Sequence, residues 1–161
     1  MKKLFAVAAA TGAVATSILA MPSASASPSG DIWNLANQKH TAAGCPSYQD
    51  NAQLGGVALD RAKRMLNPSG GIAGSGQVPA DVQLAGAGYV PTSLGEADFV
   101  QANGTPQAAM DFWMANGTRD IFPNCGNKDM ATAVWTQNGQ FAAVLLAASP
   151  GGAPGTPEHV G

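Results

Sequence analysis

Glu96 stands two positions before Asp98, and Asp111 follows further along the chain. General acid–base hydrolysis uses such carboxylate pairs, because one member can be held protonated and the other ionised. Glu96 with Asp98 or Asp111 is therefore the candidate machinery of a hydrolase. The structural alternative has Glu96 capping a neighbouring backbone or meeting Arg119. Nucleophilic catalysis has less to work with, since there is no Gly-x-Ser-x-Gly and no base is placed for Thr118. A zinc centre would want about four N, S or O ligands, with His or Cys dominant. His40 and His159 are the two histidines and no CxxC is present, so neither a metal nor another cofactor is expected. His40 reads as a surface or cap-proximal residue near the end of a helix. Glu96 and Asp98 alone do not make a calcium cage.

The cysteines point to a covalent role instead. Lys2 and Lys3 precede an Ala-rich apolar run through Val7, Val14, Ile18 and Leu19, and Ala24-Ser25-Ala26 has the small-x-small form of a signal-peptidase site. The run is short for a membrane anchor and contains Thr11, Gly12, Thr16 and Ser17. A secretory signal peptide over residues 1–26, cut near Ala26, is the expectation. It leaves a protein that does not span the membrane, secreted or held at the cell envelope. Cys45 and Cys125 both lie in the exported portion, where an even pair most simply forms a disulfide. The loop so closed would be worth on the order of 4 kcal/mol.

Composition narrows the partners. Without Lys2 and Lys3 the basic count falls from 8 to 6 against 10 acids, a net charge of about −4. Nothing resembles a basic footprint, so nucleic acid is excluded as a partner.

The elements that must position these residues follow from periodicity. Asp31 is a plausible N-cap for a first helix carrying Ile32, Leu35 and Ala36 and ending near Gly44. A second helix, 51–66, places Leu54, Val57, Ala58, Ala62, Met65 and Leu66 on one stripe, with Asp60, Arg61, Lys63 and Arg64 read as its solvated face. A Gly- and Ser-rich loop occupies 68–76, a short helix 79–87, and a loop the stretch through Tyr89, Pro91 and Gly95. Thr105 caps a further helix with Pro106 in its first position and Ala109, Met110, Trp113 and Met114 buried. Strands at 130–137 and 140–148 are joined by Asn138-Gly139, a strong type I′ hairpin signal. Trp33, Trp113, Trp135, Tyr89 and Phe141 are read as core. Residues 149–161 form a tail outside a single domain at 27–148, and the fold class is α+β.

Several of these segments resemble the CAP family (cysteine-rich secretory, antigen 5 and pathogenesis-related-1 proteins) in its bacterial SCP-like branch. Ile-Trp-Asn-Leu-Ala-Asn-Gln-Lys at 32–39 resembles the family's opening helix. The helix from Leu54 to Leu66 looks like its second. Ala87-Gly88-Tyr89 and Gly95-Glu96 are similar to its Ala-Gly-Tyr and Gly-Glu-Asn motifs, and Trp113-Met114, Arg119 and Ile121 to its Trp-Met…His-Arg-x-Asn-Ile segment. The resemblance implies an α-β-α sandwich with a cleft that, in well-preserved members, holds two His and one or two acids around a divalent ion. The departures implicate a degenerate member. Thr118 replaces the His before Arg119, residues 67–86 contain no His, and Ala97 replaces the Asn after Glu96. Glu96, Thr118 and Arg119 are the cleft candidates that remain. The leading expectation is a secreted, non-catalytic binding module with a lipid, a cell-wall component or a host protein as partner. The alternative is a secreted hydrolase using Glu96 with a second carboxylate.

Overall fold

The computed structural model describes residues 27–67 and 78–151. The expected leader, the Gly- and Ser-rich loop at 68–76 and the tail from 152 onward lie outside the described residues. In chain order the elements are α1 (Pro28–Ala42), β1 (Gln49–Asp50), α2 (Ala52–Met65), α3 (Ala80–Gly86), β2 (Pro91–Ala102), α4 (Pro106–Ala115), a 3-10 helix (Thr118–Ile121), β3 (Asp129–Gln137) and β4 (Gln140–Pro150). They build one sheet in the order β1-β3-β4-β2, with β1 parallel to β3 and the other pairs antiparallel.

β4 lies inside that sheet and organises both cores. Successive side chains of a strand point to opposite faces. Phe141, Ala143, Leu145 and Ala147 therefore meet Ile32 and Ala36 of α1 and Ala109, Met110 and Trp113 of α4. Ala142, Val144, Leu146 and Ala148 meet Leu54, Val57, Ala58, Ala62 and Met65 of α2 with Ala80 and Leu84 of α3. A strand covered on both faces reads as an unbroken apolar run, which is what β4 is. The result is the α-β-α sandwich implied by the resemblance. Among the described residues no helix is long and apolar enough to cross a membrane.

Local sequence explains most element ends. Asn51 accepts from the backbone N–H groups of Gln53 and Leu54 at the start of α2, and Thr105 accepts from Ala108 N at 3.1 Å at the start of α4. α1 begins earlier than expected. Ser27 rather than Asp31 is its N-cap, accepting from Gly30 N at 3.1 Å, because Ser followed by Pro pairs a preferred cap with a preferred first residue. Asp31 sits in the first turn, where its charge favours the helix dipole.

The hairpin is as expected, with Asn138 at φ 51° and Gly139 at φ 73°. A Cβ on Gly139 would make only an ordinary van der Waals contact, its nearest neighbour being Asn103 Oδ1 at 3.8 Å. Gly139→Val should therefore cost only the left-handed backbone strain, roughly 1–2 kcal/mol, read as a lowered urea midpoint. A loss near zero would mean the turn had changed type.

Two strands were not expected. β1 is two residues long, and β2 replaces the loop through Pro91 and Gly95 with twelve residues of strand. Pro91, Gly95, Glu96 and Asp98 are all poor strand formers, and pairing with β4 and packing of Ala97 and Phe99 against α4 override that preference. β4 also continues to Pro150, and Ser149 Oγ donates to Gly126 O at 2.6 Å. The ordered domain therefore passes residue 148.

Candidate functional site

β2 is an edge strand paired to β4, with Glu96 opposite Leu146 and Asp98 opposite Val144. Leu146 and Val144 face α2, so the two carboxylates face it as well. From α2, Arg61 reaches them. It is 6% exposed, its Nη2 forms an ion pair with Glu96 Oε1, and the same nitrogen lies 3.9 Å from Asp98 Oδ2. Its Nη1 donates to the carbonyl of Val78 at 3.1 Å, just before α3. One guanidinium thus ties α2, β2 and the start of α3 together.

This corrects the expected solvated face of α2. Asp60, Lys63 and Arg64 are exposed, and Arg64 Nε pairs with Asp60 at 2.7 Å on the surface. Arg61 is not among them. The signal was present in the spacing, because Leu54, Val57, Arg61 and Met65 follow one another at three, four and four positions and share a helical face.

The electrostatics follow from one cation serving two acids. Burial raises the pKa of Glu96, the charge of Asp98 raises it further, and Arg61 only partly opposes them. Burial likewise raises Asp98 against the pull of Arg61. Arg61 Nε and Asp98 Oδ1 are buried with no hydrogen-bond partner among the described residues. Such a cluster can hold one shared proton. Among the described residues, no three His, Cys, Asp or Glu side chains converge to hold a metal ion.

The other cleft candidates disperse. Thr118 and Glu96 both line an open cavity of about 350 Å³ with Ser93, Asp120, Asn124 and Asn127. Close packing forms it: a Cβ on Gly95 would come within 2.9 Å of Ile121 Cγ1, so glycine lets the 3-10 helix lie against β2. The Thr118 hydroxyl, however, donates to Trp113 O at 2.9 Å and satisfies a carbonyl at the end of α4, where Gly117 turns the chain at φ 84°. Arg119 does not meet Glu96. Its Nε lies 3.8 Å from Asp120, with both side chains mostly in solvent, an arrangement worth little. Asp111 is exposed on α4 and accepts from Gln107 Nε2 at 2.8 Å.

Trp113 is fully buried and donates from Nε1 to Asp98 O at 2.9 Å, which fixes the β2 backbone behind the carboxylates. Tyr89 donates to Asp129 Oδ2 at 2.9 Å, and burial together with that bond raises its pKa. Trp135 departs from the expected core role: it is 38% exposed, with Lys63 Nζ 4.9 Å from its ring centroid. Met114, placed in the buried stripe of α4, is 36% exposed. His40 is buried rather than superficial, at 1% exposure, because α1 turns it onto Tyr48 and Phe122. The expected disulfide is formed, with the Cα atoms of Cys45 and Cys125 5.0 Å apart.

No family model matches the chain, and no curated protein does. Solved structures do. An extracellular protein containing a SCP domain from Bacillus anthracis matches with a TM-score of 0.60 at 18% identity, over 73% of this chain and 39% of that one. A cysteine-rich secretory protein from Staphylococcus aureus matches with 0.51 at 14%, over 74% and 38%. This chain therefore spans about two fifths of the length of either. An outer surface protein from Borrelia burgdorferi matches with 0.60 at 8%, over 74% of this chain and 90% of that one. Likeness at such identities is likeness of fold, and the fold of this chain is that of the SCP domain of CAP proteins.

Proposed function

We propose that this protein is exported and acts at the cell envelope or outside the cell as a non-catalytic CAP-like binding module. The observation that carries this reading is Arg61. Its guanidinium pairs with Glu96 and lies 3.9 Å from Asp98, so a buried cation already engages the carboxylates that a metal or an acid–base reaction would need. The bonded hydroxyl of Thr118 and the distant Arg119 support it further. Export is supported by the leader-like N-terminus, the disulfide and two structural neighbours that are an extracellular and an outer surface protein.

The partner proposed is a lipid, a cell-wall component or a host protein. Calorimetric titration of residues 27–161 against phosphatidylglycerol vesicles, cell-wall fragments and serum proteins should give saturable heat with one of the three and no turnover. Absence of binding to all three would sink the reading.

One observation favours a hydrolase instead: a carboxyl with a raised pKa beside a second carboxylate is a plausible acid–base pair. Glu96→Gln separates the two. The binding module predicts a loss of about 1–3 kcal/mol of stability from a weakened buried ion pair, with no hydrolysis of ester or glycoside substrates by either form. The hydrolase predicts an activity in the wild type that vanishes in the variant, and because the ion pair is lost on either reading it is the activity that decides.

A further inference from the structure

A second cavity, which shares Asn127 with the one beside Glu96, lies next to the disulfide. His40 lines a cavity of about 200 Å³ with Ser47, Gln49, Cys125, Asn127 and Lys128. Its Nδ1 is 2.6 Å from the carbonyl oxygen of Phe122. A carbonyl can only accept, so Nδ1 carries the proton and donates it. One face of the ring is stacked on Tyr48, with centroids 3.7 Å apart and planes 13° from parallel. The ring cannot turn without losing both contacts, so in its neutral form the tautomer is fixed with the proton on Nδ1 and the lone pair on Nε2. That nitrogen has no hydrogen-bond partner among the described residues.

The walls are held as firmly. Asn127 is 2% exposed and accepts from Ser93 Oγ at 3.0 Å. The backbone of Lys128 donates to Ala148 O at 2.9 Å and accepts from Gln49 N at 2.8 Å. Lys128 is exposed and lines the cavity, no carboxylate does, and among the described residues Lys128 makes no ion pair. The cavity is therefore lined by a histidine with one uncommitted ring nitrogen and by a lysine with no ionic partner. A few convergent polar groups in a concave, preformed space are what small-ligand sites are made of.

We propose that this cavity binds a small carboxylate carrying a hydrogen-bond donor on the adjacent carbon, an α-hydroxy or α-amino acid. The hydroxyl or ammonium donates to His40 Nε2, and the carboxylate pairs with Lys128. Neither contact requires Glu96, Asp98 or Arg61, so the proposal stands apart from the reading of the carboxylate cluster.

The test is a titration followed by the ring nitrogen resonances of His40 at constant ionic strength. Glycolate carries both groups, acetate only the charge and ethylene glycol only the donor. Glycolate should move Nε2 saturably, and its affinity should exceed that of acetate about tenfold, the discrimination expected for one added hydrogen bond to a buried acceptor. Ethylene glycol should leave the resonance in place. Lys128→Gln, at an exposed position whose loss leaves the core intact, should weaken glycolate about tenfold. His40→Gln should abolish the response of the neighbouring amides. Equal affinity for glycolate and acetate, an unmoved Nε2, or unchanged binding in Lys128→Gln would each overturn the proposal.

Discussion

Arg61→Met should destabilise the domain by about 3–5 kcal/mol at pH 7.5, the usual cost of removing one partner from a buried ion pair. Methionine replaces the bulk of the side chain, so the loss reports charge rather than a cavity. What remains is Glu96 beside Asp98, both partly buried and without a cation. The loss should shrink as the pH falls, and the sign follows from the direction of the shifts. Both carboxyls have folded-state pKa values raised above their ordinary 4.5 and 3.8. A group raised in this way contributes stability that is fully present below its unfolded pKa and lost as the pH rises through its folded value. Without Arg61 the folded values climb further, and the window of loss moves upward with them.

Urea unfolding at pH 5 and pH 7.5 should accordingly show a much larger penalty at the higher pH. Arg61→Lys should fall between, keeping the charge but not the fork that reaches Glu96, Asp98 and Val78 at once. An equal loss at both pH values would mean that Arg61 acts through packing and its bond to Val78 O rather than through the carboxylates.

The sequence carried the parts of this fold that depend on local rules. Thr105-Pro106, Asn51 and Asn138-Gly139 each specify backbone conformation within a few residues, and the corresponding helix starts and hairpin are found where those residues stand. The apolar stripes of α2 and α4 and the unbroken run of β4 were legible for the same reason. β2 was not. Its strand character comes from the partner it pairs with, and its acids lie where an isolated sequence places solvent. Arg61 was hidden for a related reason. Charge argued for the outside of α2 while periodicity argued for the inside, and only the carboxylates on β2, distant in sequence, decide between them. The cleft inference had the same limit: Glu96 belonged to the cluster, but its partner came from α2 rather than from the segment holding Thr118 and Arg119. His40 shows the converse. A lone histidine near a helix end looks superficial until the chain beyond α4 returns Phe122 to cover it.

Reducing the Cys45–Cys125 bond is the second large perturbation, and its effect should come chiefly from the unfolded chain. The cysteines are separated by 80 positions, a loop whose release is worth roughly 4.5 kcal/mol in the chain-entropy model. The folded side of the balance changes little, because non-covalent contacts already run beside the bridge. His40 donates to Phe122 O, and the backbone N–H of Cys45 donates to His40 O at 3.3 Å. The double variant Cys45→Ser, Cys125→Ser should therefore keep its native fold at low temperature yet unfold at markedly lower denaturant. Its m-value should also rise, since an uncrosslinked unfolded chain is more open and exposes more surface. The two readouts distinguish mechanisms that a midpoint alone would merge. A lowered midpoint with an unchanged m-value would place the bridge's contribution in the native contacts around Cys45, which is buried, rather than in the chain it constrains. For a domain of ordinary stability, about 5–15 kcal/mol in total, the entropic outcome makes the oxidised form the one able to persist unaided, which is the form that the proposed export to an oxidising compartment would supply.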